Sequence, residues 1–388
     1  MRIVDIREST AKLASSMRNA VIDFSRMTTS VVAVVTDVMR NGKPVIGYGC
    51  GSNGRYAQGG ILRERLLPRI READPESLLD GNGALDPFKV QSCMMLNEKP
   101  GGHGDRAVAA AVVDMAIWDA VAKIEDKPLW QLLSERYNEG RHNDRVLVYP
   151  GGGYYYPGKE IEQLKKEMRG YREQGYSIVK MKIGGAPIED DIRRIEAVLE
   201  IVGSGDYLAV DANGRYDLKT AIAFGEAAAP YKLCWFEEPG DPLDYELNAE
   251  LCKHYEPPIA TAENLFSAQD VKNLALYGGM RTDRDWIQMD PALGYGLSEY
   301  LKMLSEVEQL GWKRDRHIPH GGHLLGLHMA AGLQLGGTES YPLVFQPFGG
   351  FTDDAVIEDG YTTPPTAPGL GIEQKAELFD VLRPIGED

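Results

Sequence analysis

The sequence has few cysteines, with four among 388 residues and no C-x-x-C pair. Disulfide-stabilised folds and thiolate zinc sites both need more numerous or more closely spaced cysteines, so this scarcity argues against both. Cys50, Cys93, Cys234 and Cys252 are therefore expected to be reduced thiols, as in a cytoplasmic protein.

Long apolar runs and basic blocks are also missing. No window of about 18 apolar residues occurs, which predicts no membrane-spanning helix. The first residues, MRIVDIREST, place charges where a signal peptide needs an apolar core. The 42 basic and 58 acidic residues give a net charge of −16, which argues against nucleic-acid and anionic-membrane partners. We expect a cytoplasmic protein that acts on a small molecule.

The residues that are present include enough apolar sequence, 43%, for a large core. The strand signal RIVDI is followed by TSVVAVVTDVMRNGKPVIGYG, two β-rich runs joined by Asn41-Gly42, which predicts an antiparallel hairpin. Residues 107–122 are almost continuously apolar and predict a helix buried on most sides. Residues 1–140 are therefore predicted to form an α+β domain.

A repeating pattern begins near Arg145. Short apolar runs alternate with amphipathic helical segments, and the polar residues that end successive runs are spaced 26 to 30 residues apart. These residues are Lys182, Asp211, Glu237, Glu263, Asp290 and His320. Repeated strand-helix units of this length close into a parallel barrel with catalytic groups at the carboxyl ends of its strands. We predict such a barrel over residues 141–350.

Three carboxylates, Asp211, Glu237 and Glu263, end successive predicted strands and should converge at the barrel mouth. They would repel one another unless a hard divalent cation bound them, and Mg²⁺ prefers oxygen ligands of this kind. A single acid at a strand end can instead cap the next helix. Three acids in the same position weaken that alternative.

Lys180 and Lys182 stand on either side of Met181 in the run SIVKMKIGG. Side chains two apart on a strand share a face, so both ammonium groups are predicted to point into the pocket of the triad. Desolvation and a nearby dication lower an ammonium pKa toward that of a general base, while the second lysine supplies a fixed charge. The alternative is that both side chains reach solvent.

A carboxylate and an imidazole end the next two predicted strands. Asp290 beside His320 would fix the tautomer of the ring and raise its basicity, as in acid-base catalysis. His317 and His323 compete for this position, although His317 should face away and His323 should open the following helix.

The strings KMKIGG, AVDANGRY, WFEEPGDPLDY, ATAENL and PHGGH resemble the mandelate-racemase-like branch of the enolase superfamily. Loop strings such as GSNGRYAQGG, NEKPGGHG and FQPFGGF extend the resemblance over nearly the whole chain. It implies an α/β fold: a modified TIM barrel, (β/α)7β, under an N-terminal α+β cap that a C-terminal segment, residues 351–388, completes. It further implies Mg²⁺ on the triad, with Lys182 and the Asp290–His320 pair on opposite faces of the substrate. The family also implies a symmetric homo-oligomer.

The resemblance implies a lyase that removes the α-proton of D-tartrate, stabilises an ene-diolate with Mg²⁺ and Lys180, and expels water to form oxaloacetate. Another acid sugar, or racemisation of a 2-hydroxy acid, remains open within the same superfamily. A metal-independent glycoside hydrolase and a non-catalytic binding protein are the alternatives from other classes.

Contacts to the far carboxylate of a hydroxy-dicarboxylate are predicted from the cap loops and the last strand. The resemblance points to Lys99 in NEKPGGHG, and an exposed loop lysine is the alternative. The other candidates are Asn19, Asn53 and Arg55 in cap loops and Glu339 at the end of the eighth strand.

Overall fold

The structure is a computed structural model that describes residues 1–13, 17–52, 55–155 and 161–387. Among the helices in these ranges, none has both the length and the apolar character that crossing a bilayer demands.

The chain opens with a three-stranded antiparallel sheet. Its strands are β1 (Ile3–Lys12), β2 (Thr28–Arg40) and β3 (Lys43–Cys50), in that order across the sheet. Asn41 and Gly42 join β2 to β3 with φ angles of 53° and 77°. Two consecutive positive φ angles are what a tight hairpin turn needs, because they match the twist of the flanking strands. The predicted hairpin is confirmed.

A group of helices follows this sheet in the chain. They are α1 (Gly59–Ile61), α2 (Leu67–Glu72), α3 (Pro87–Met94), α4 (Asp105–Ile124) and α5 (Leu129–Tyr137), with a π-helical turn (Leu62–Leu66) between the first two. Strand β3 lies directly on α4: a Cβ atom on Gly47 would stand 2.0 Å from the carbonyl oxygen of Ala116. This approach requires glycine on the strand and explains why α4 is buried on most sides, as predicted.

The second part of the chain alternates strands and helices. In order these are β4 (Val146–Gly152), α6 (Ile161–Glu173), β5 (Val179–Lys182), α7 (Ile188–Val202), β6 (Leu208–Asp211), α8 (Leu218–Ala228), β7 (Trp235–Glu237), α9 (Tyr245–His254), β8 (Ile259–Thr261), α10 (Ala268–Tyr277), β9 (Trp286–Ile287), α11 (Leu297–Gln309), α12 (Leu324–Gly332) and β10 (Thr338–Ser340). Short 3₁₀ turns lie at Pro75–Leu78, Gly205–Tyr207, Ala229–Tyr231, Arg314–Arg316 and Ile372–Gln374.

These strands pair in parallel in the order β10-β4-β5-β6-β7-β8-β9. Residues 317–320 fill the gap between the two ends. The amide of Ile318 donates to the carbonyl of Ile287 at 3.0 Å, and the amide of Glu339 donates to the carbonyl of Pro319 at 3.2 Å. The sheet therefore closes into the predicted (β/α)7β barrel.

The C-terminal segment returns to the cap. Strand β11 (Tyr361–Thr362) pairs with β4, and helix α13 (Ala376–Glu387) packs on β1 and β2. The rings of Phe379 and Tyr48 meet edge to face, with centroids 5.9 Å apart. The cap is thus completed by the tail, as expected, while the predicted segment limits at residues 140 and 350 stay predictions.

Candidate active site

The strands of the barrel bring the predicted residues to one level. In the parallel pairing, Lys182 lies opposite Asp211, and Asp211 lies opposite Glu237. Lys180 and Lys182 are both buried, with 0% and 3% of their surface exposed. The lysines therefore face the barrel interior, and the alternative in which they reach solvent is wrong.

Asp211, Glu237 and Glu263 form the predicted acidic triad. Each offers one carboxylate oxygen, and these oxygens all lie within 4.8 Å of one another. All three residues are buried. Such a concentration of anionic oxygens needs cationic compensation, because isolated buried carboxylates are strongly disfavoured.

Two side chains beneath the triad hold Glu237 through one of its carboxylate oxygens. The indole N–H of Trp235 donates to Glu237 Oε2 at 2.8 Å, and the Gln288 amide donates to the same atom at 2.9 Å. Gln288 is itself close to the hydroxyl of Tyr149, at 3.2 Å. The other oxygen, Oε1, is left facing the triad.

The outer two carboxylates are also oriented by neutral donors. The backbone amide of Asn213 donates to Asp211 Oδ1 at 2.8 Å, and the Asn264 side chain donates to Glu263 Oε1 at 3.3 Å. Oε2 of Glu263 is buried and accepts no hydrogen bond, although His320 Nε2 lies 3.2 Å away. Oriented carboxylates with one oxygen each toward a common point fit a hard divalent cation such as Mg²⁺.

The lysines neutralise the triad in this structure. Lys180 donates to Glu237 Oε1 and Lys182 donates to Asp211 Oδ2. Burial lowers the pKa of Lys182, but the charge of Asp211 outweighs it and raises that pKa above its usual value. The low pKa expected for a base presupposes a dication beside the lysine and stays a prediction. A dication on Asp211 would instead lower the pKa of Lys182, because it would bind the carboxylate that pairs with Lys182 and add a second positive charge nearby.

The predicted pair of Asp290 and His320 is present. Asp290 follows β9, and its Oδ2 lies 2.8 Å from His320 Nδ1. Burial raises the pKa of Asp290, but the hydrogen bond from His320 and the nearby ring of His323 overcome it and hold that pKa below its usual value. His323 accepts from the amide of Gly326 at the start of α12, as expected.

His317 is placed as the sequence predicted, on the strand but away from the pair. It is fully buried, neither ring nitrogen has a hydrogen-bond partner, and burial lowers its pKa to about 3. His320 is thus the histidine that reaches the site.

Anionic neighbours surround the free nitrogen of His320. Its Nε2 lies 3.5 Å from Glu339 Oε2 and 3.3 Å from the hydroxyl of Tyr341. Burial lowers the pKa of His320, but Glu263, Glu339 and Asp290 together raise it to about 10. The imidazole is therefore held as a cation, ready to donate a proton from Nε2.

Glu339 was predicted to contact substrate, and its placement differs. It is fully buried on β10 and is not among the residues that line the cavity. Its oxygens instead meet Lys180 Nζ at 2.9 Å and the amide of Gly321 at 3.2 Å. Glu339 therefore supports the charged groups behind the cavity wall, because barrel closure turns its side chain inward.

A cavity of about 570 Å³ opens above these groups. Lys182, Glu263 and His320 lie on its floor side, and Val21 and Phe24 from the loop after β1 contribute an apolar wall. The polar and charged residues around the rest of the cavity are Asn19, Arg55, Asn213, Arg215, Glu238, Asp241 and Asn264.

The structure places two of the cap residues predicted from sequence, Asn19 and Arg55, at the cavity. Asn19 lines the cavity, and its side-chain oxygen accepts from the amides of Val21 and Ile22 at 2.8 and 2.6 Å, which shapes the loop. Arg55 also lines the cavity and donates to Asn264 Oδ1 at 2.7 Å. Asn53 lies outside the described residues.

Lys99 is not brought to the cavity. It is exposed and does not belong to the lining residues. Arg106 donates to the carbonyls of Lys99 and Gly101 at 3.1 and 2.6 Å and to the hydroxyl of Tyr295 at 2.9 Å. These bonds hold the loop against the segment before α11, and the contact of Lys99 with substrate stays a prediction.

Sequence reasoning missed Trp235, Gln288, Asn264 and Tyr341. Trp235 was recoverable, because it lies two residues before Glu237 on the same strand face. Asn264 directly follows a triad acid, which is a weaker signal. Gln288 and Tyr341 meet their partners only through barrel closure, which no local pattern shows.

Comparison with known proteins agrees with this geometry. Residues 163–378 match the enolase C-terminal domain-like family, and residues 17–134 match the mandelate racemase/muconate lactonizing enzyme N-terminal domain. The chain is 32% identical over 290 residues to arabinonate dehydratase of Saccharolobus solfataricus, covering 71% of this chain and 73% of that protein. It is 30% identical over 314 residues to L-talarate/galactarate dehydratase of Salmonella typhimurium, covering 79% and 72%.

A solved structure adds a metal and a ligand. L-talarate dehydratase from Polaromonas sp. JS666, complexed with Mg and L-glucarate, superposes with a TM-score of 0.76 at 28% identity, covering 95% of this chain and 94% of that one. The acidic triad of the present chain suits the same ion. The two matched domains, the closed barrel and the relatives together show that the chain belongs to the mandelate racemase/muconate lactonizing enzyme family.

Proposed function

We propose that the protein is a Mg²⁺-dependent hydro-lyase that dehydrates an acid sugar, with D-tartrate as substrate and oxaloacetate as product. The observation that carries this proposal is that Lys182 and His320, from different strands, line one cavity together with Glu263 of the triad. A proton acceptor, a proton donor and a metal ligand thus face the same small volume. The named dehydratases among the relatives support the reaction class.

Removing a proton next to a carboxylate is difficult because a second negative charge develops on a group that is already anionic. A Mg²⁺ ion held by Asp211, Glu237 and Glu263 would supply positive charge to the substrate carboxylate. Lys180 adds a fixed positive charge, since Glu237 and Glu339 raise its pKa well above the usual value despite burial. Such pre-oriented charges stabilise a transition state without reorganising during the reaction.

The remaining steps belong to two side chains. Lys182 accepts the α-proton, and the electrons of the C–H bond pass into the substrate carboxylate to give an ene-diolate. These electrons then form the double bond between the α- and β-carbons as the C–O bond of the β-hydroxyl breaks. His320 donates the proton from Nε2 to this hydroxyl, which departs as water. Asp290 holds Nδ1, so Nε2 faces the cavity throughout. The enol product then tautomerises to the 2-keto acid.

The assignment of D-tartrate rests on the loop strings that resemble this branch of the superfamily and on cationic groups in the cavity. Arg55 and Arg215 line it, and guanidinium groups pair well with a second carboxylate. One observation favours a second candidate: the volume of about 570 Å³ has room for a longer acid sugar. The relatives named for arabinonate, talarate and galactarate point the same way.

The test is the formation of 2-keto acid by the Mg²⁺-loaded protein with D-, L- and meso-tartrate, arabinonate, talarate and galactarate, each with a chelator control. Metal-dependent oxaloacetate from D-tartrate alone is expected. If 2-keto acid formed from one of the longer acids and not from D-tartrate, the proposed substrate would change but the proposed reaction would stand. If the substrate racemised and no 2-keto acid formed, the protein would be a racemase and not a dehydratase, because two opposed bases without elimination interconvert enantiomers.

A further inference from the structure

One loop of the cap reaches the catalytic pair. It runs from β3 to α1 over residues 51–58, of which 53 and 54 lie outside the described ranges. The start of β2 anchors both of its ends. The Thr29 hydroxyl donates to the carbonyl of Gly51 at 3.1 Å, and the Ser30 hydroxyl accepts from the amide of Gln58 at 2.6 Å. The described ends of the loop are thus fixed to the cap sheet.

Ser52 in this loop is buried, with 2% of its surface exposed. Its hydroxyl donates to Asp290 Oδ2 at 2.8 Å, the oxygen that also meets His320 Nδ1 at 2.8 Å. An ionised carboxylate only accepts hydrogen bonds, so the serine must be the donor. This contact joins residues 238 positions apart in the chain.

The other oxygen of Asp290 is held by the barrel. Its Oδ1 accepts from the amide of Ala292 at 2.6 Å and lies 3.7 Å from His323 Nε2. Among these contacts of Asp290, Ser52 is the one that the cap supplies. A carboxylate turns about its terminal bond with little resistance, so a donor on each oxygen is what sets its plane.

We propose that Ser52 is a positioning residue of the active site, a cap hydroxyl that fixes the plane of Asp290 and thereby aims His320 Nε2 into the cavity. This inference rests on the proposed role of His320 as the proton donor to the leaving hydroxyl. It assigns the cap a part in elimination that is separate from substrate binding. In the part of the chain that the structure describes, Ser52 bonds to Asp290 whereas Lys182 bonds to Asp211, so proton abstraction should not depend on Ser52.

The experiment compares Ser52→Ala with Thr29→Val in the full-length, Mg²⁺-loaded protein. Thr29→Val is the matched control, since it removes a hydroxyl that holds the same loop without touching Asp290. Three quantities are measured: the dehydration rate, the exchange of the substrate α-hydrogen with D₂O, and the low-field Nδ1–H resonance of His320 in ¹⁵N-histidine-labelled protein without substrate. The resonance is assigned with His320→Asn.

For Ser52→Ala we expect the dehydration rate to fall about tenfold or more, as for other groups that orient catalytic side chains. The α-hydrogen exchange should be no slower than in the parent, and the His320 resonance should move or broaden. Thr29→Val should leave the resonance and the ratio of exchange to dehydration unchanged.

Two outcomes overturn the proposal. Parent-like dehydration with an unmoved resonance in Ser52→Ala would show that the hydroxyl positions nothing. Equal losses of exchange and dehydration would show that the loop acts on the whole site and not on the pair. If the parent protein turned over none of the acids, the proposed function would fail, whereas the substrate-free resonance would still decide whether Ser52 holds the pair.

Discussion

Lys180 Nζ and Glu339 Oε1 lie 2.9 Å apart with neither side chain exposed, although β4 separates their strands in the sheet. The ion pair therefore crosses the barrel interior. Breaking such a pair leaves an uncompensated buried charge, which is far more costly than loss of a surface pair. Lys180 is held as a cation by this arrangement, which leaves Lys182, at the cavity surface, as the lysine that can exchange a proton with substrate.

Lys182→Ala and His320→Asn should each lower the dehydration rate by about 10²-fold or more, the usual contribution of a positioned acid or base. Steady-state 2-keto acid formation measures this, and calorimetric titration with Mg²⁺ checks that the triad still binds metal. A Lys182→Ala protein with most of its parent activity would show that another group removes the α-proton.

Mg²⁺ should stabilise the folded protein, because the ion binds oxygens that the unfolded chain does not bring together. At a free concentration 100 times Kd the gain is about 2.7 kcal/mol, seen as a rise in Tm over the chelator-treated protein. Glu263→Gln should abolish most of this rise. Glu246→Gln, which removes an exposed acid on α9, is the matched control and should keep it. Equal rises in both variants would place the ion elsewhere.

Arg55→Ala should raise KM for dicarboxylates about tenfold or more, since a charge-assisted hydrogen bond to a ligand is lost. Lys99→Ala removes the same charge from an exposed loop position outside the cavity and should leave KM nearly unchanged. Initial rates over a range of substrate concentration compare the two. A larger effect for Lys99→Ala would mean that the NEKPGGHG loop, and not Arg55, meets the substrate.

His328 makes stability depend on pH. Its buried ring accepts from the amide of Trp130 at 3.1 Å and lies 3.1 Å from the carbonyl of Leu370, and burial lowers its pKa to about 4. A depressed base pKa means that the unfolded chain binds the proton first as pH falls. The contribution of the neutral His328 ring to the free energy of unfolding is therefore complete above about pH 6.5 and declines by about 2 kcal/mol on going to pH 5.

The check is the difference in unfolding free energy between the parent and His328→Gln, from urea titrations at two pH values. Gln does not ionise, so the advantage of the parent should shrink by about 2 kcal/mol between neutral pH and about pH 5. A difference that stays the same at both pH values would show that the His328 ring takes up its proton equally in both states.

The fold and the centre of the site were accessible from sequence because barrel periodicity and strand alternation are local patterns. Near-equal spacing in the sequence alone points to six polar residues: Lys182, Asp211, Glu237, Glu263, Asp290 and His320. The same alternation placed Lys180 beside Lys182. Each of these inferences needs only the geometry of one repeating unit.

The rest depends on packing between parts that are distant in the chain. The position of Lys99 outside the cavity could not be read from sequence, because the Arg106 contacts, which no pattern reveals, decide where its loop lies. The direction in which carboxylates shift the pKa of Lys182 could not be read from sequence either, because it depends on how many of them face the lysine in the closed barrel. The contact of Ser52 with Asp290 joins cap and barrel and could not be read from either alone.

The pairing of Lys182 with Asp211, and of Asp211 with Glu237, has a consequence for how such a protein can change over evolution. Inserting or deleting one residue within these strands would turn every side chain beyond that point to the opposite face and dismantle the site. New chemistry at the barrel mouth must therefore come from exchanging side chains in place. Changes in length are left to the cap loops and the outer helices, where new substrates can be accommodated while the proton-transfer groups stay fixed.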